Sequence, residues 1–396
     1  MSFYSVIFAA GSDGRMKSKT PKPLMRVAER PMLSWVMKAA EEAGAKKCVA
    51  IADSACTERI KALCGEAAEV IESSEVMQVI KEIGAEDGTV MIIGADMPLI
   101  ESETLKNALA EHKKAKRAAT VIASGDESCG KVLIAELKAL KAASDIDEVI
   151  EAAAEYGADG DELLLVCDRA GLARAEKAFN RRNIERAMAD GVSIIDPDNT
   201  YIGAEVKIGM DTVILPGTHI SGKTVIGETC EIGPNSMIES CEIGNNTSVI
   251  SSKLVESTVG NNVNIGPFAY LRPNSRISDN VKIGDFVEIK NANIDEGTKV
   301  AHLTYIGDAD VGKRVNFGCG TVVVNYDGKK KHRTTIGDDA FIGCNTNLVS
   351  PVTVRDGAYT AAGSTITSEV PENSLAIARA RQVNKENWVK ENNKLK

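Results

Sequence analysis

Arg272 and Lys290, His302, and the run 325–335 are the residues whose types and spacing suit them to hold an anion and move a proton. Arg272 and Lys290 are eighteen residues apart, and in a chain wound at six residues per side they occupy equivalent positions on neighbouring coils. Two cations stacked a strand spacing apart repel one another. An anion such as a sugar phosphate removes that cost by binding between them. His302 is one of only four histidines, and Tyr305 follows it by three residues. Imidazole is the side chain whose ordinary pKa suits it to accept a proton near neutrality. The run Asn-Tyr-Asp-Gly-Lys-Lys-Lys-His-Arg-Thr-Thr at 325–335 concentrates cations in a protein of net charge −9 and reads as an anion clamp. Each feature also has a plainer alternative: a solvated charged face, a structural histidine, or an idle surface loop.

A second constellation lies near the N-terminus. Phe8-Ala9-Ala10-Gly11-Ser12-Asp13-Gly14-Arg15-Met16 sets a glycine turn directly after an apolar strand, with Pro21-Lys22-Pro23-Leu24 beyond it. Backbone N–H groups at Gly11 can cradle phosphate there, and Arg15 and Lys22 supply charge. An ordinary strand-to-helix loop is the alternative. Asp96, in Gly94-Ala95-Asp96-Met97-Pro98-Leu99, follows another apolar run and so stands at the carboxyl edge of a sheet, where a carboxylate suits magnesium.

The elements that position these residues fall into two rhythms. From Ile202, aliphatic residues recur every six positions, with occasional steps of five, through Ile214, Ile232, Val249, Ile265, Ile283, Ile289, Val300 and Ile306. The series is broken at 325–335 and resumes at Ile336, Ile342, Leu348 and Val354. Such a period specifies a solenoid with one short parallel strand per six residues and three per coil, each strand giving one inward side chain to a narrow core. Glycine beside the aliphatic residue is expected to permit the tight corner. Before 195, strand patterns at 3–10, 47–52, 89–93 and 118–123 alternate with helical ones at 32–43, 57–64, 103–114 and 170–190. That alternation predicts a mostly parallel sheet with helices on both faces. The expected division is an α/β domain with a linker helix over 1–195, an all-β solenoid over 196–376, and a polar tail over 377–396.

Composition narrows the function. The chain has 396 residues, 43% of them apolar, as in an ordinary globular protein. Its acidic balance argues against nucleic acid or an anionic membrane as a partner. Nine cysteines without a CxxC pair point to a reduced, cytoplasmic setting. The first apolar run ends in a glycine loop rather than a cleavage site, and no segment reaches membrane-spanning length.

The N-terminal segments resemble the sugar-nucleotide pyrophosphorylases, whose first strand leads into a G-x-G-T-R-M turn followed by P-K-x-L, and whose later G-D-x-P-L carries a metal aspartate. The chain departs from that pattern in several places. Asp13 stands where those enzymes have a second glycine, setting like charge against a bound triphosphate. The family's Q-x-x-x-x-G-T-G-H-A segment has no counterpart between Val70 and Ile83, and the stretch between Ala118 and Asp168 is too short for the sugar-binding lid. Where the family has a second metal-binding Asn, this chain has Cys167, with Asp168 beside it as a substitute. Weak or lost uridylyl transfer is the expectation.

The solenoid settles the resemblance. Gly266-Pro267-Phe268-Ala269, Leu271-Arg272-Pro273, Gly284-Asp285-Phe286-Val287-Glu288-Ile289-Lys290, His302-Leu303-Thr304-Tyr305-Ile306-Gly307-Asp308, Asn325-Tyr326-Asp327-Gly328 and Ala376-Ile377-Ala378-Arg379 are similar to the acetyltransferase half of the bacterial bifunctional N-acetylglucosamine-1-phosphate uridylyltransferase / glucosamine-1-phosphate acetyltransferase family. The resemblance implies a Rossmann-like nucleotidyltransferase domain, then a left-handed parallel β-helix of hexapeptide repeats, assembled as a homotrimer with active sites at subunit boundaries. His302 would be the general base acting on the amine of glucosamine-1-phosphate. Arg272, Lys290, Tyr305, Asn316 and Lys331 would hold that sugar phosphate. Asn325, Tyr326, Ala362 and Arg379, with the backbone near Cys319 and Cys344, would hold acetyl-CoA. Gly11, Arg15 and Lys22 would meet UTP, and Asp96 and Asp168 would hold Mg2+ if the first domain is active. Three readings stay open: an acetyltransferase with a weakened first domain, a fully bifunctional enzyme, and a non-catalytic nucleotide-sugar sensor. A metal-dependent hydratase is a remote fourth, since His219, His302 and His332 are not spaced as a metal cluster.

Overall fold

The computed structural model describes residues 3–10, 14–82, 87–126 and 128–392. Internal contacts divide the chain into two compact units, Met1–Arg182 and Asn183–Lys396.

The first unit is built on a seven-stranded sheet: β1 (Phe3–Phe8), β2 (Ala45–Ala52), β3 (Glu69–Glu72), β4 (Thr89–Gly94), β5 (Ala119–Ala123), β6 (Val132–Glu136) and β7 (Ala154–Gly157). In space the order is β3-β2-β1-β4-β6-β5-β7. All neighbours run parallel except β6, which is antiparallel to both β4 and β5. Apolar residues of alternating parity face opposite sides. Ile7 and Ile93 meet Leu33 and Val36 of α1 (Met32–Glu42), Ile60 of α2 (Thr57–Cys64), and Leu105 and Leu109 of α4 (Ser102–Lys114). On the other side Val6, Ile51 and Val90 meet Val79 and Ile80 of α3 (Val76–Glu82), Leu137 and Leu140 of α5 (Leu137–Ala142), and Val149 of α6 (Ile146–Glu151). This is the two-faced packing that a buried parallel sheet requires. A further helix, α7 (Arg169–Ala189), runs through the point of division.

The second unit is the solenoid. Strands of two to four residues each pair in parallel with the strand three further on, giving three long sheets. Ile214, Ile232, Val249, Ile265, Ile283, Val300, Phe317 and Ile342 form one inward column, none more than 2% exposed, so this stack by itself excludes water. Each such side chain stabilises the fold by roughly 1.5–3 kcal/mol. Of the series, Ile208 near the start is only half-buried.

Of the glycines that follow the aliphatic series, Gly233 and Gly266 adopt a positive φ, +110° and +105°, as the corner reading expects, while others serve close packing. Gly209 and Gly227 do not adopt a positive φ. A Cβ built on Gly209 would fall 2.7 Å from the Gly227 carbonyl carbon, and one on Gly227 would fall 2.2 Å from Asn245 Oδ1. They are glycines because the next coil lies against them. The left-handed corners include glycine, as at Gly217 and Gly222, and asparagine, as at Asn235, Asn246, Asn262, Asn274 and Asn280, a residue that tolerates this conformation.

Candidate active site

Parallel register sets the cation stack. Leu271 pairs with Ile289, and the Arg272 N–H donates to Ile289 O at 2.8 Å, so Arg272 and Lys290 stand at matched positions on adjacent coils. The stack is not left bare, as spacing alone suggests, because Arg272 Nη1 donates to Glu288 Oε1 at 2.8 Å and this partner raises the guanidinium pKa. Lys290 differs. The Lys331 amine beside it, burial, and Arg272 push its pKa below the ordinary lysine value, against the opposing pull of Asp308. Two ammonium groups in mutual reach are an anion site in the making.

Lys331 reaches Lys290 because the 325–335 loop is pinned at both ends. Asp327 takes the N–H groups of Lys329 and Lys330, each at 2.7 Å, and bonds His332 Nε2 at 2.7 Å. These donors hold its carboxyl at about 2. Arg333 grips Asp310 with two nitrogens, at 2.5 and 2.6 Å, and also donates to Asn291 O and Ala309 O at 3.1 Å. Of the basic run, His332 and Arg333 therefore serve the loop itself, and Lys331 faces the site.

Tyr305 opens the strand Tyr305–Gly307, and its hydroxyl accepts from Asn325 Nδ2 at 3.4 Å. Asn325 is buried. Tyr326 is exposed, its hydroxyl donating to Gly328 O at 2.7 Å.

His302 ends the strand Lys299–His302, where Nδ1 bonds Asp285 Oδ1 on the preceding coil. That bond lowers the Asp285 pKa, so the partner is a carboxylate and Nδ1 carries the proton. Nε2 is then the nitrogen with a free lone pair, on a side chain 58% exposed. Asp285 pairs with His302, Val300 with Phe317, Phe317 with Ile342, and Ile342 with Thr360. Carrying this register forward stacks Asp285, His302, Cys319, Cys344 and Ala362 in one column along a sheet edge. Arg379 lies at its far end, its Cδ 3.6 Å from a Cβ built on Gly363. Asn316 lies between Lys299 and Phe341 on the sheet that carries His302, and not on the Lys290 sheet.

In the first unit Lys22 Nζ donates to Asp96 Oδ2 at 2.7 Å, so the expected phosphate lysine and metal carboxylate hold one another. Asp168 Oδ1 accepts the Gly171 N–H at 2.7 Å at the start of α7. Arg15 is exposed, and Gly11 lies outside the described residues. Among the described residues no three His, Cys, Asp or Glu side chains form a metal cluster, and no helix is long and apolar enough to cross a membrane.

Residue spacing did not reveal Glu288, Asp308 or Asp285 as partners. Asp285 was open to discovery, since it stands one coil before His302 once the five-residue step between them is counted.

Two family models match: "MobA-like NTP transferase domain" over residues 5–161 and "Bacterial transferase hexapeptide (six repeats)" over 256–291. The chain is 45% identical to "Bifunctional protein GlmU" of Caldanaerobacter subterraneus subsp. tengcongensis, over 98% of this chain and 97% of that protein. It is 42% identical to the protein of the same name from Geobacillus sp. (strain WCH70), over 98% and 97%. The first alignment spans 446 positions against a chain of 396 residues, so at least 50 positions carry no residue here. The chain belongs to the bifunctional GlmU family of transferases, with an α/β nucleotidyltransferase-like domain ahead of a left-handed β-helix of hexapeptide repeats.

Proposed function

We propose that the solenoid transfers the acetyl group of acetyl-CoA to the amine of glucosamine-1-phosphate, and that uridylyl transfer by the first domain is weak or lost. One observation carries the first half: the His302–Asp285 pair heads an in-register column through Cys319, Cys344 and Ala362, while Lys290 and Lys331 meet on the neighbouring sheet. Arg272, Lys290 and Lys331 hold the phosphate, with Tyr305 and Asn316 on the sugar. Acetyl-CoA lies along the column toward Arg379, with Asn325 and Tyr326 beside it. His302 Nε2 takes a proton from the amine as its nitrogen attacks the thioester carbon. The C–S bond then breaks, and the His302 imidazolium returns that proton to the leaving CoA thiolate.

A homotrimer fits the surface next to this column. Phe268, Phe286 and Leu303 follow one another up a corner beside Asp285 and His302, 59%, 57% and 56% exposed, with the two phenyl rings stacked at 5.3 Å. Apolar ridges of this kind mark subunit contacts. A neighbouring chain there also explains how Asn316 and the Lys290 cluster, on different sheets of one chain, serve one substrate.

Lost uridylyl transfer rests on the Lys22–Asp96 ion pair, on Asp13, and on the alignment positions without a residue. The rival reading, full bifunctionality, is favoured by the names of the relatives. Asp96 and Asp168 would hold Mg2+ through hard carboxylate oxygens, and Lys22 would serve the nucleotide phosphates. The ion would neutralise phosphate charge there.

Two assays test the proposal: CoA release from acetyl-CoA plus glucosamine-1-phosphate, and pyrophosphate release from UTP plus N-acetylglucosamine-1-phosphate with magnesium. The first is expected to proceed and to fall about 10²–10⁴-fold in His302→Ala; the second is expected to be weak or absent. Unchanged CoA release in the variant overturns the base, and brisk pyrophosphate release overturns the loss of uridylyl transfer.

A further inference from the structure

Asp308 is a buried carboxylate that the mechanism above does not use. It follows the strand Tyr305–Gly307 with φ +50°, its N–H donating to Lys290 O at 2.9 Å and its carbonyl accepting the Thr334 N–H at 3.0 Å. Each carboxylate oxygen takes one amide: Asn291 Nδ2 on Oδ1 and Asn325 Nδ2 on Oδ2, both at 2.5 Å. A carboxylate only accepts, so these contacts fix which way each amide faces. The other N–H of Asn325 goes to the Tyr305 hydroxyl. With both protons committed, Asn325 has only Oδ1 left to offer a substrate. The space is kept by Gly307, where a Cβ would fall 2.3 Å from the Tyr305 hydroxyl and 2.7 Å from Asn325 Nδ2.

Asp308 also adjoins the phosphate cluster through the backbone, since its N–H donates to the carbonyl of Lys290 on the preceding coil.

We propose that Asp308 is a positioning residue for acyl transfer: it locks Asn325 as an acceptor-only group facing an N–H of the reacting pair. The proposal rests on the acetyl-transfer reading and deepens it. A structural carboxylate that merely ties loops together would affect stability without that consequence.

Asp308→Asn suits the test, because asparagine accepts a left-handed φ and keeps the size. An amide facing two amide donors has one acceptor to give, so either Asn291 or Asn325 must turn over. In the full-length protein kcat for CoA release is expected to fall about 10- to 100-fold. The KM for glucosamine-1-phosphate should stay within about twofold. In an Asn325→Ala background, Asp308→Asn should change kcat by less than about twofold. Gly307→Ala displaces the Asn325 amide while sparing the carboxylate, and it should lower kcat likewise. Unchanged kcat in Asp308→Asn, or effects that multiply with Asn325→Ala, would each overturn the proposal. If Asp308→Asn shows no cooperative melt, Gly307→Ala alone decides the locked amide: full kcat there overturns it. A parent that releases no CoA would overturn the acetyl-transfer reading itself, whereas an active parent with unchanged variants overturns only the role of Asp308.

Discussion

At the scale of single residues, the site is organised by carboxylates paired with the groups that act. Asp285 bonds His302 Nδ1 and so leaves Nε2 for the base of the proposed reaction. Asp285→Asn removes the charge while keeping the shape. We expect kcat for CoA release to drop about tenfold with the KM for glucosamine-1-phosphate changed less, because the amide no longer holds the ring in its tautomer and orientation. Steady-state kinetics on the variant check this, and an unchanged kcat would show that Asp285 serves only packing. Glu288 pairs with Arg272 in a comparable way.

At the scale of elements, the loop 325–335 is fastened through the side chains of Asp327, His332 and Arg333, which leaves its lysine ammonium groups for the proposed anion clamp. Asp327 is the central fastener, with its carboxyl held at about 2 against an ordinary 3.8. A depressed carboxylate stabilises the loop above its ordinary value and loses that contribution as pH falls from about 4 towards about 2. The loop is therefore expected to remain ordered through mildly acid conditions. Asp327→Ala should release Lys331 from Lys290 and raise the KM for glucosamine-1-phosphate several-fold, with kcat changed less. Steady-state kinetics on that variant check this, and an unaltered KM would remove the loop from phosphate binding. The basic composition of the run marked it as an anion clamp, but composition did not distinguish Lys331 from Arg333. That distinction depends on Asp310 lying opposite Arg333 after the loop folds back, a pairing of residues 23 apart.

At the scale of the molecule, the groups proposed for the reaction are placed by register across coils and not by neighbours in the chain. The exposed ridge Phe268, Phe286 and Leu303 runs beside the His302 column. If three chains share the site, Phe286→Asp combined with Leu303→Asp should yield monomers and abolish CoA release together. Light scattering coupled to size exclusion would read the mass, and a fully active monomer would place the whole site within one chain. Single truncations in the core, such as Ile289→Ala, should cost about 2–5 kcal/mol in chemical denaturation, as at other fully buried aliphatic positions.

By itself the sequence determined the solenoid, because a six-residue aliphatic period over many coils admits one solution for burying a single side chain per strand. It also determined the alternating α/β half, apart from the short helices α3, α5 and α6 and from strands whose signal was poor. β3 and β7 are edge strands with half their residues exposed, so neither shows a continuous apolar run. β6 leads straight into α5, so its apolar residues merge with those of a helix. The equivalence of Arg272 and Lys290 was legible, because counting coils requires only the period. Only the tertiary structure decided which charges were already answered: Arg272 by Glu288, Lys22 by Asp96, Arg333 by Asp310. A period records which face a side chain occupies, whereas hydrogen bonds depend on ångström-scale approach between coils and loops, which spacing along the chain does not encode.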